Sequence, residues 1–113
     1  MVEAAQNSKK TAEDGDVESM RFLGEAHYMG LGVEKSMELA EHWFQRAAEK
    51  NDPTALYRLG QMYTVVYDEY EKAEEYIRRA IAAGPILNVT QEEIDIMLSS
   101  IATFSRIAKN DRN

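Results

Sequence analysis

Apolar residues recur along this chain every three or four positions, in helix-length stretches separated by Gly, Pro, Asn or Asp. The stretch Glu3 to Asp14 reads as a weak helix carrying Ala4, Ala5 and Ala12, stopped at Gly15. Asp16 is placed to cap a second helix, Val17 to Met29, with Met20, Leu23 and His27 on one face. Gly30-Leu31-Gly32 breaks the chain, and Ser36 caps a third helix, Met37 to Lys50, with Leu39, Ala40, Trp43, Phe44 and Ala47 inward. Asp52 followed by Pro53 is a strong restart; the fourth helix runs to about Val66 with Ala55, Leu59, Met62 and Tyr63 inward. Asp68 with Glu71 reads as a capping box for a fifth helix to Ala83, which turns Ala73, Tyr76, Ile77 and Ala80 inward. Gly84-Pro85 ends it, and residues 86–89 form a linker beneath the last helix. That helix starts from a Thr90/Glu93 capping box, spans 91–108, and carries Ile94, Met97, Leu98, Ile101 and Phe104 on one stripe. Six helices and no strand make the expected class all-α.

A short phrase occurs twice. Leu23-Gly24 recurs as Leu59-Gly60, 36 residues on, and Ala40-x-x-Trp43-x-x-x-Ala47 recurs as Ala73-x-x-Tyr76-x-x-x-Ala80, 33 residues on. The second unit is therefore three residues shorter between its two helices. Self-similarity at this period marks a helical solenoid, in which each unit packs on its neighbours. A mid-helix glycine costs about 1 kcal/mol relative to alanine, so Gly24 and Gly60 imply a neighbouring helix backbone at close range, with Ala40, Ala47, Ala73 and Ala80 opposite. Trp43 and Tyr76 fill the space within each pair. Gly30 and Gly32 supply the positive φ of the longer loop; the shorter one needs no such turn if the chain between Val66 and Asp68 is tight.

Ser19-x-x-x-Leu23-Gly24-x-x-His27-x-x-Gly30-x-Gly32-Val33, then Ala40-x-x-Trp43-Phe44-x-x-Ala47-Ala48, resembles the Sel-one-like repeat, a relative of the tetratricopeptide repeat. The second unit reads Ala55-x-x-x-Leu59-Gly60-x-x-Tyr63 and Lys72-Ala73-x-x-Tyr76-x-x-x-Ala80-x-x-x-Gly84. The first unit departs from the family at Ser19, usually alanine, and at His27, usually tyrosine; the second lacks the Gly-x-Gly-Val loop. The resemblance implies one right-handed α/α superhelix over 1–113: a partial unit at 3–14, repeats at 17–50 and 53–84, and a capping helix at 91–108. The first helix is similar to the second half of a repeat, as in a piece of a longer array or an end covered by a partner or a second copy. The resemblance also implies that the first helix of each pair lines a concave binding face. That face carries Glu18, Arg21, Glu25 and Tyr28 from one unit and Thr54, Tyr57, Gln61 and Thr64 from the next, with an exposed Tyr57 near Arg21, and Tyr28, as anchors.

Charge narrows the partners. Thirteen basic and twenty acidic side chains give a net charge of −7, which opposes nucleic acid and anionic membrane surfaces and favours a protein with a basic surface. The run Asp68, Glu69, Glu71, Glu74 and Glu75 reads as a solvated helix start, with docking of a basic partner as the functional alternative. There is no cysteine, no basic-then-apolar leader in Met1 to Gln6 and no apolar run of membrane-spanning length, so a cytoplasmic protein is expected. His27 and His42 lack metal spacing. Asp14-x-Asp16-x-Glu18 begins like a calcium loop but lacks its later glycine and closing glutamate, and helix capping accounts for it. No reactive constellation stands out. The expected protein is a non-enzyme without cofactor or metal, a scaffold or adaptor that binds a peptide or protein surface on its concave face, with self-association through the N-terminal helix. A small inhibitor such as a bacterial immunity protein is the alternative reading, and an enzyme the third.

Overall fold

The computed structural model describes residues 2–111, with side chains from Ser8 onward. Among them are six helices, α1 (Val2–Glu13), α2 (Val17–Met29), α3 (Met37–Glu49), α4 (Pro53–Val65), α5 (Tyr70–Ala83) and α6 (Gln91–Asp111), and no strand. Each helix packs on the next in chain order, most extensively within the pairs α2–α3 and α4–α5. The molecule is elongated, 50 × 28 × 22 Å, with a radius of gyration of 14.8 Å, against about 13 Å for a compact chain of about this length. This is an α/α solenoid. Arg112 and Asn113 lie outside the described residues, and α6 runs three residues past its expected end at 108.

The caps explain where the helices start. Asp16 accepts from the Ser19 N–H at 2.8 Å, Ser36 from Leu39 at 3.1 Å and Asp52 from Ala55 at 2.9 Å. Thr90 and Glu93 form a reciprocal box, Thr90 N–H to Glu93 Oε2 at 2.7 Å and Glu93 N–H to Thr90 Oγ1 at 3.1 Å. The box expected at Asp68 does not form. Asp68 has φ +54°, in the left-handed region, whereas an N-cap residue needs extended backbone to turn its side chain onto the helix amides. The helix starts at Tyr70 with no side-chain cap, and Asp68 instead accepts the Tyr70 hydroxyl proton at 3.0 Å.

The two loops of unequal length close on the same carbonyls. In the first, Gly30 and Leu31 N–H bond to the Ala26 carbonyl at 2.7 and 2.9 Å, and Ser36 N–H to that of His27 at 2.9 Å. In the second, Val66 and Tyr67 N–H bond to the Met62 carbonyl at 2.8 and 3.3 Å, and Glu69 N–H to that of Tyr63 at 2.8 Å. Positive φ at Gly30 and Gly32 carries the long loop. The short one, expected to need no such turn, uses one left-handed residue, Asp68, a type that tolerates the conformation better than most.

The glycines of the recurring phrase receive side chains more than backbone. A Cβ on Gly24 would lie 2.6–2.8 Å from three ring atoms of Phe44; one on Gly60 would fall on Ile77 Cδ1 and lie 3.2 Å from the Ala73 carbonyl oxygen. Phe44 and Ile77 occupy equivalent positions of α3 and α5 and are fully buried. All the repeated positions, Leu23, Gly24, Ala40, Trp43 and Ala47 with Leu59, Gly60, Tyr63, Ala73, Tyr76 and Ala80, are buried. Counted from its Thr90 cap, α6 stands in the register of α2 and α4: Ile94 matches Met20 and Leu56, all buried. At the glycine position α6 carries Leu98, so its notch is already filled. Phe104, expected inward, is half-exposed and rests against the Tyr70 ring at 5.8 Å. Leu39, also expected inward, is exposed.

Gly60→Ala is expected to lower stability by about 1–3 kcal/mol through overpacking, despite alanine's better helix propensity. In the Ile77→Ala background the same change should cost much less. A double-mutant cycle by urea denaturation measures the difference; additive effects would show that Ile77 does not define the notch.

Candidate protein-binding surface

The register places α2, α4 and α6 side by side as the first helices of successive units, so the residues turned away from their partner helices form one face. Two charged ties cross it. Arg21 Nε lies 3.2 Å from Asp52 Oδ2, and Arg58 Nε lies 2.5 Å from Glu25 Oε1 while its Nη1 donates to Gln61 Oε1 at 2.8 Å. Both ties link α2 to α4 and are only partly exposed. Asp52 both caps α4 and draws Arg21 onto it. The Arg21 Nε donor is buried, and among the described residues it makes no hydrogen bond of good geometry.

Tyr57, expected as an exposed anchor, is only 2% exposed and packs into the core. Burial, then the negative charge of Glu93 on α6, raises its phenol pKa. Thr54 and Thr64 are buried as well: Thr54 Oγ1 accepts the Leu87 N–H at 3.0 Å and Thr64 Oγ1 donates to the Gly60 carbonyl at 2.9 Å. The cause is α6 and the linker before it, which lie over this side of α4. In that linker Leu87 is exposed, not tucked beneath α6 as expected, while Ile86 and Val89 are partly buried. Glu18 is exposed, and Arg21, Glu25, Tyr28 and Gln61 are intermediate.

Between α4 and α6 lies a groove of about 570 Å³. Tyr57 and Thr64 line it from α4, Met97 from α6 and Val89 from the linker; Arg58, Gln61 and Glu93 supply its polar rim. Val65, Ile96 and Phe104, 69%, 58% and 44% exposed, give it apolar edges. Sequence reasoning missed Val65 and Ile96 and read Phe104 as inward. Counting from the caps held a signal: Phe22 and Ile96 share one register position, Met29 and Val65 another, and all four are large apolar residues off the packing stripe and exposed.

A second cluster joins α3, α4 and α5. The Tyr63 hydroxyl donates to Glu41 Oε1 at 3.0 Å; its ring stacks on Tyr76 at 5.4 Å and 12°, and Lys72 Nζ sits 4.6 Å above it. Tyr67 tilts against Tyr63 at 5.2 Å. Burial and the Glu41 carboxylate push the Tyr67 phenol up to about 12. His27, at Tyr63's register, has its ring Nδ1 3.0 Å from the Glu34 carbonyl and so fastens the longer loop. Among the described residues no group of three or more His, Asp or Glu could hold a metal ion, and no helix is long and apolar enough to cross a membrane. Asp16 is engaged as a cap, its carboxyl held low first by the Ser19 hydroxyl and then by the Ser19 amide.

The sequence profile of the Sel1 repeat matches residues 17–52 and 53–85. These limits coincide with α2–α3 and α4–α5, each with its closing loop. The chain belongs to the Sel1 repeat family. Sel1 repeats are protein-interaction modules, typically without catalytic activity. The chain is also 29% identical over 104 residues to a Sel1-like repeat-containing protein of Acanthamoeba polyphaga mimivirus, a match covering 90% of this chain and 19% of that protein. It thus spans about a fifth of the length of this curated relative. No solved structure matches it.

The tyrosine cluster gives a pH prediction. Below about pH 10 the Tyr67 phenol is neutral in both folded and unfolded chains; between about 10 and about 12 only the unfolded chain releases its proton, so stability falls across that window. Glu41→Gln is expected to lower the Tyr67 pKa and to move this loss. Tyrosinate absorbance at 295 nm, with Tyr67→Phe for assignment, checks it; an unchanged titration would remove Glu41 as a cause.

Proposed function

We propose that this Sel1 repeat protein binds a peptide or protein surface along the face formed by α2, α4 and α6, acting as a scaffold or adaptor. The groove between α4 and α6 carries the reading. It is concave, apolar at its edges and rimmed by Arg58, Gln61 and Glu93, the arrangement of an interface with an apolar centre and a polar border. Tyr57 serves as its floor, and Val65, Ile96 and Phe104 make the apolar contact. Arg21 and Glu25, with Asp52 and Arg58, bias the angle between α2 and α4, while Glu18 and Tyr28 extend the face beyond the groove. The net charge of −7 favours a partner with basic surface around its apolar contact. The same charge favours, as a second reading, an inhibitor that covers a basic active-site rim. Self-association through α1 falls partly outside the described side chains, which begin at Ser8.

The test is site-specific photo-crosslinking in the native host, with benzoylphenylalanine at position 96 in the groove or at exposed position 81 on α5. A discrete partner from position 96 alone is expected. Val65→Glu with Ile96→Glu should then weaken binding to that partner at least about tenfold, roughly 1.4 kcal/mol, and leave the helical circular dichroism intact. Equal crosslinking from position 81, or unchanged affinity of the double variant, would move the site elsewhere.

A further inference from the structure

The two repeats differ at one place where their backbones agree. In the second unit Tyr76 on α5 is covered on three sides: Tyr63 stacks on it, the Arg79 guanidinium lies 5.4 Å from its ring, and Gln45 Nε2 on the preceding α3 donates to its hydroxyl at 3.0 Å. Lys72 then closes over Tyr63. In the first unit Trp43 takes the place of Tyr76, and Arg46 covers it as Arg79 does, 5.0 Å from the ring. The other three partners are changed. Tyr63 becomes His27, shorter and drawn to the Glu34 carbonyl. Lys72 becomes Leu39, 45% exposed. Gln45 becomes Lys9, since the Asp16 N–H to Thr11 carbonyl bond at the end of α1 matches that of Asp52 to Ala47 at the end of α3.

These three changes leave a groove of about 460 Å³ between α1, α2 and α3. Leu23, Val33, Leu39 and Trp43 give it apolar walls, and Lys9, Arg46, His42 and Glu13 stand at its rim. Neither Lys9 nor Arg46 has a carboxylate within ion-pair distance among the described residues, whereas Arg21, Arg58, Arg78 and Lys109 each do. Two cations with no ion pair among the described residues thus flank an apolar slot, with Glu13 as the one carboxylate in its lining, in a chain of charge −7. The acids Glu38, Glu41 and Glu49 line a neighbouring depression that shares His42 and Arg46 with the slot.

We infer that this groove is a second interaction site, distinct from the α4–α6 face, which receives one bulky apolar side chain of a partner polypeptide bearing a carboxylate beside it. The apolar group fills the volume that Tyr63 and Lys72 occupy in the other unit. The carboxylate meets the exposed Lys9 and the partly buried Arg46 at the rim. A basic segment would meet the two like charges of Lys9 and Arg46 there, against the single carboxylate of Glu13.

The chain's single tryptophan reports on the groove. Random twelve-residue peptides displayed on phage are selected on the intact protein, and the strongest is titrated while the Trp43 indole N–H resonance is followed. Peptides pairing Leu, Ile, Phe or Trp with a neighbouring Asp or Glu are expected, shifting that resonance. Replacing the acid by its amide, or Arg46→Gln in the protein, should weaken binding at least tenfold; His27→Tyr should abolish it; Ile96→Glu on the other face should leave it unchanged. Leu39→Lys gives a second blocked groove if His27→Tyr fails to fold. Enrichment of basic peptides, no enrichment, ligands that leave the indole unmoved, or full binding by the blocked variants would overturn the inference. So would an indole shift with protein concentration alone, which would mean that a second copy fills the groove.

Discussion

One steric arrangement, used twice, sets the geometry of this protein: a bulky side chain of the second helix in each pair seats where the first helix has no Cβ. Phe44 on Gly24 and Ile77 on Gly60 bring the paired helices close enough for Ala40 and Ala73 to be fully buried. Each seated side chain is worth roughly 1.5–3 kcal/mol of burial, which outweighs the propensity cost of a glycine in mid-helix. Stacking of one unit on the next uses the position four residues after each cap, where Met20, Leu56 and Ile94 are all buried. Where α6 repeats the register but carries Leu98 at the notch, its own side chain takes up the space that a facing helix's would fill.

Loop length is almost independent of this framework. Three extra residues in the first loop leave the bonds to the Ala26 and His27 carbonyls equivalent to those on Met62 and Tyr63. The additional backbone is accommodated by two left-handed glycines and held by the His27 ring. Among the differences between the units, those around the aromatic position change the surface most. One unit fills that place with Tyr63, Tyr76 and Gln45; the other leaves it open beside Trp43. A solenoid tolerates such differences because each unit answers only to its neighbours.

The surfaces follow from what covers what. Because α6 and its linker lie across α4, Tyr57, Thr54 and Thr64 become floor and support, and the exposed apolar edge shifts to Val65, Ile96 and Phe104. The charged ties of Arg21 and Arg58 act mainly as positioning contacts. At their partial exposure, ion pairs are worth about 0–1 kcal/mol, enough to bias the angle between units without determining the fold.

The sequence by itself determined the number of helices, nearly all their boundaries, the two-unit repeat and its buried positions. Those features rest on local chemistry: caps that act over three residues, glycine and proline breaks, and a periodicity belonging to one helix at a time. The tertiary structure decided the rest. Periodicity shows which residues leave the packing stripe, but not that another helix will lie over them, and so Tyr57 reads as an exposed anchor until α6 is in place. The Asp68 and Glu71 spacing satisfies a capping pattern, yet closing a shorter loop onto the Tyr63 carbonyl demands a left-handed residue at that point, and the cap is lost. Exposure and backbone handedness are fixed by elements distant in the chain, which no local pattern encodes.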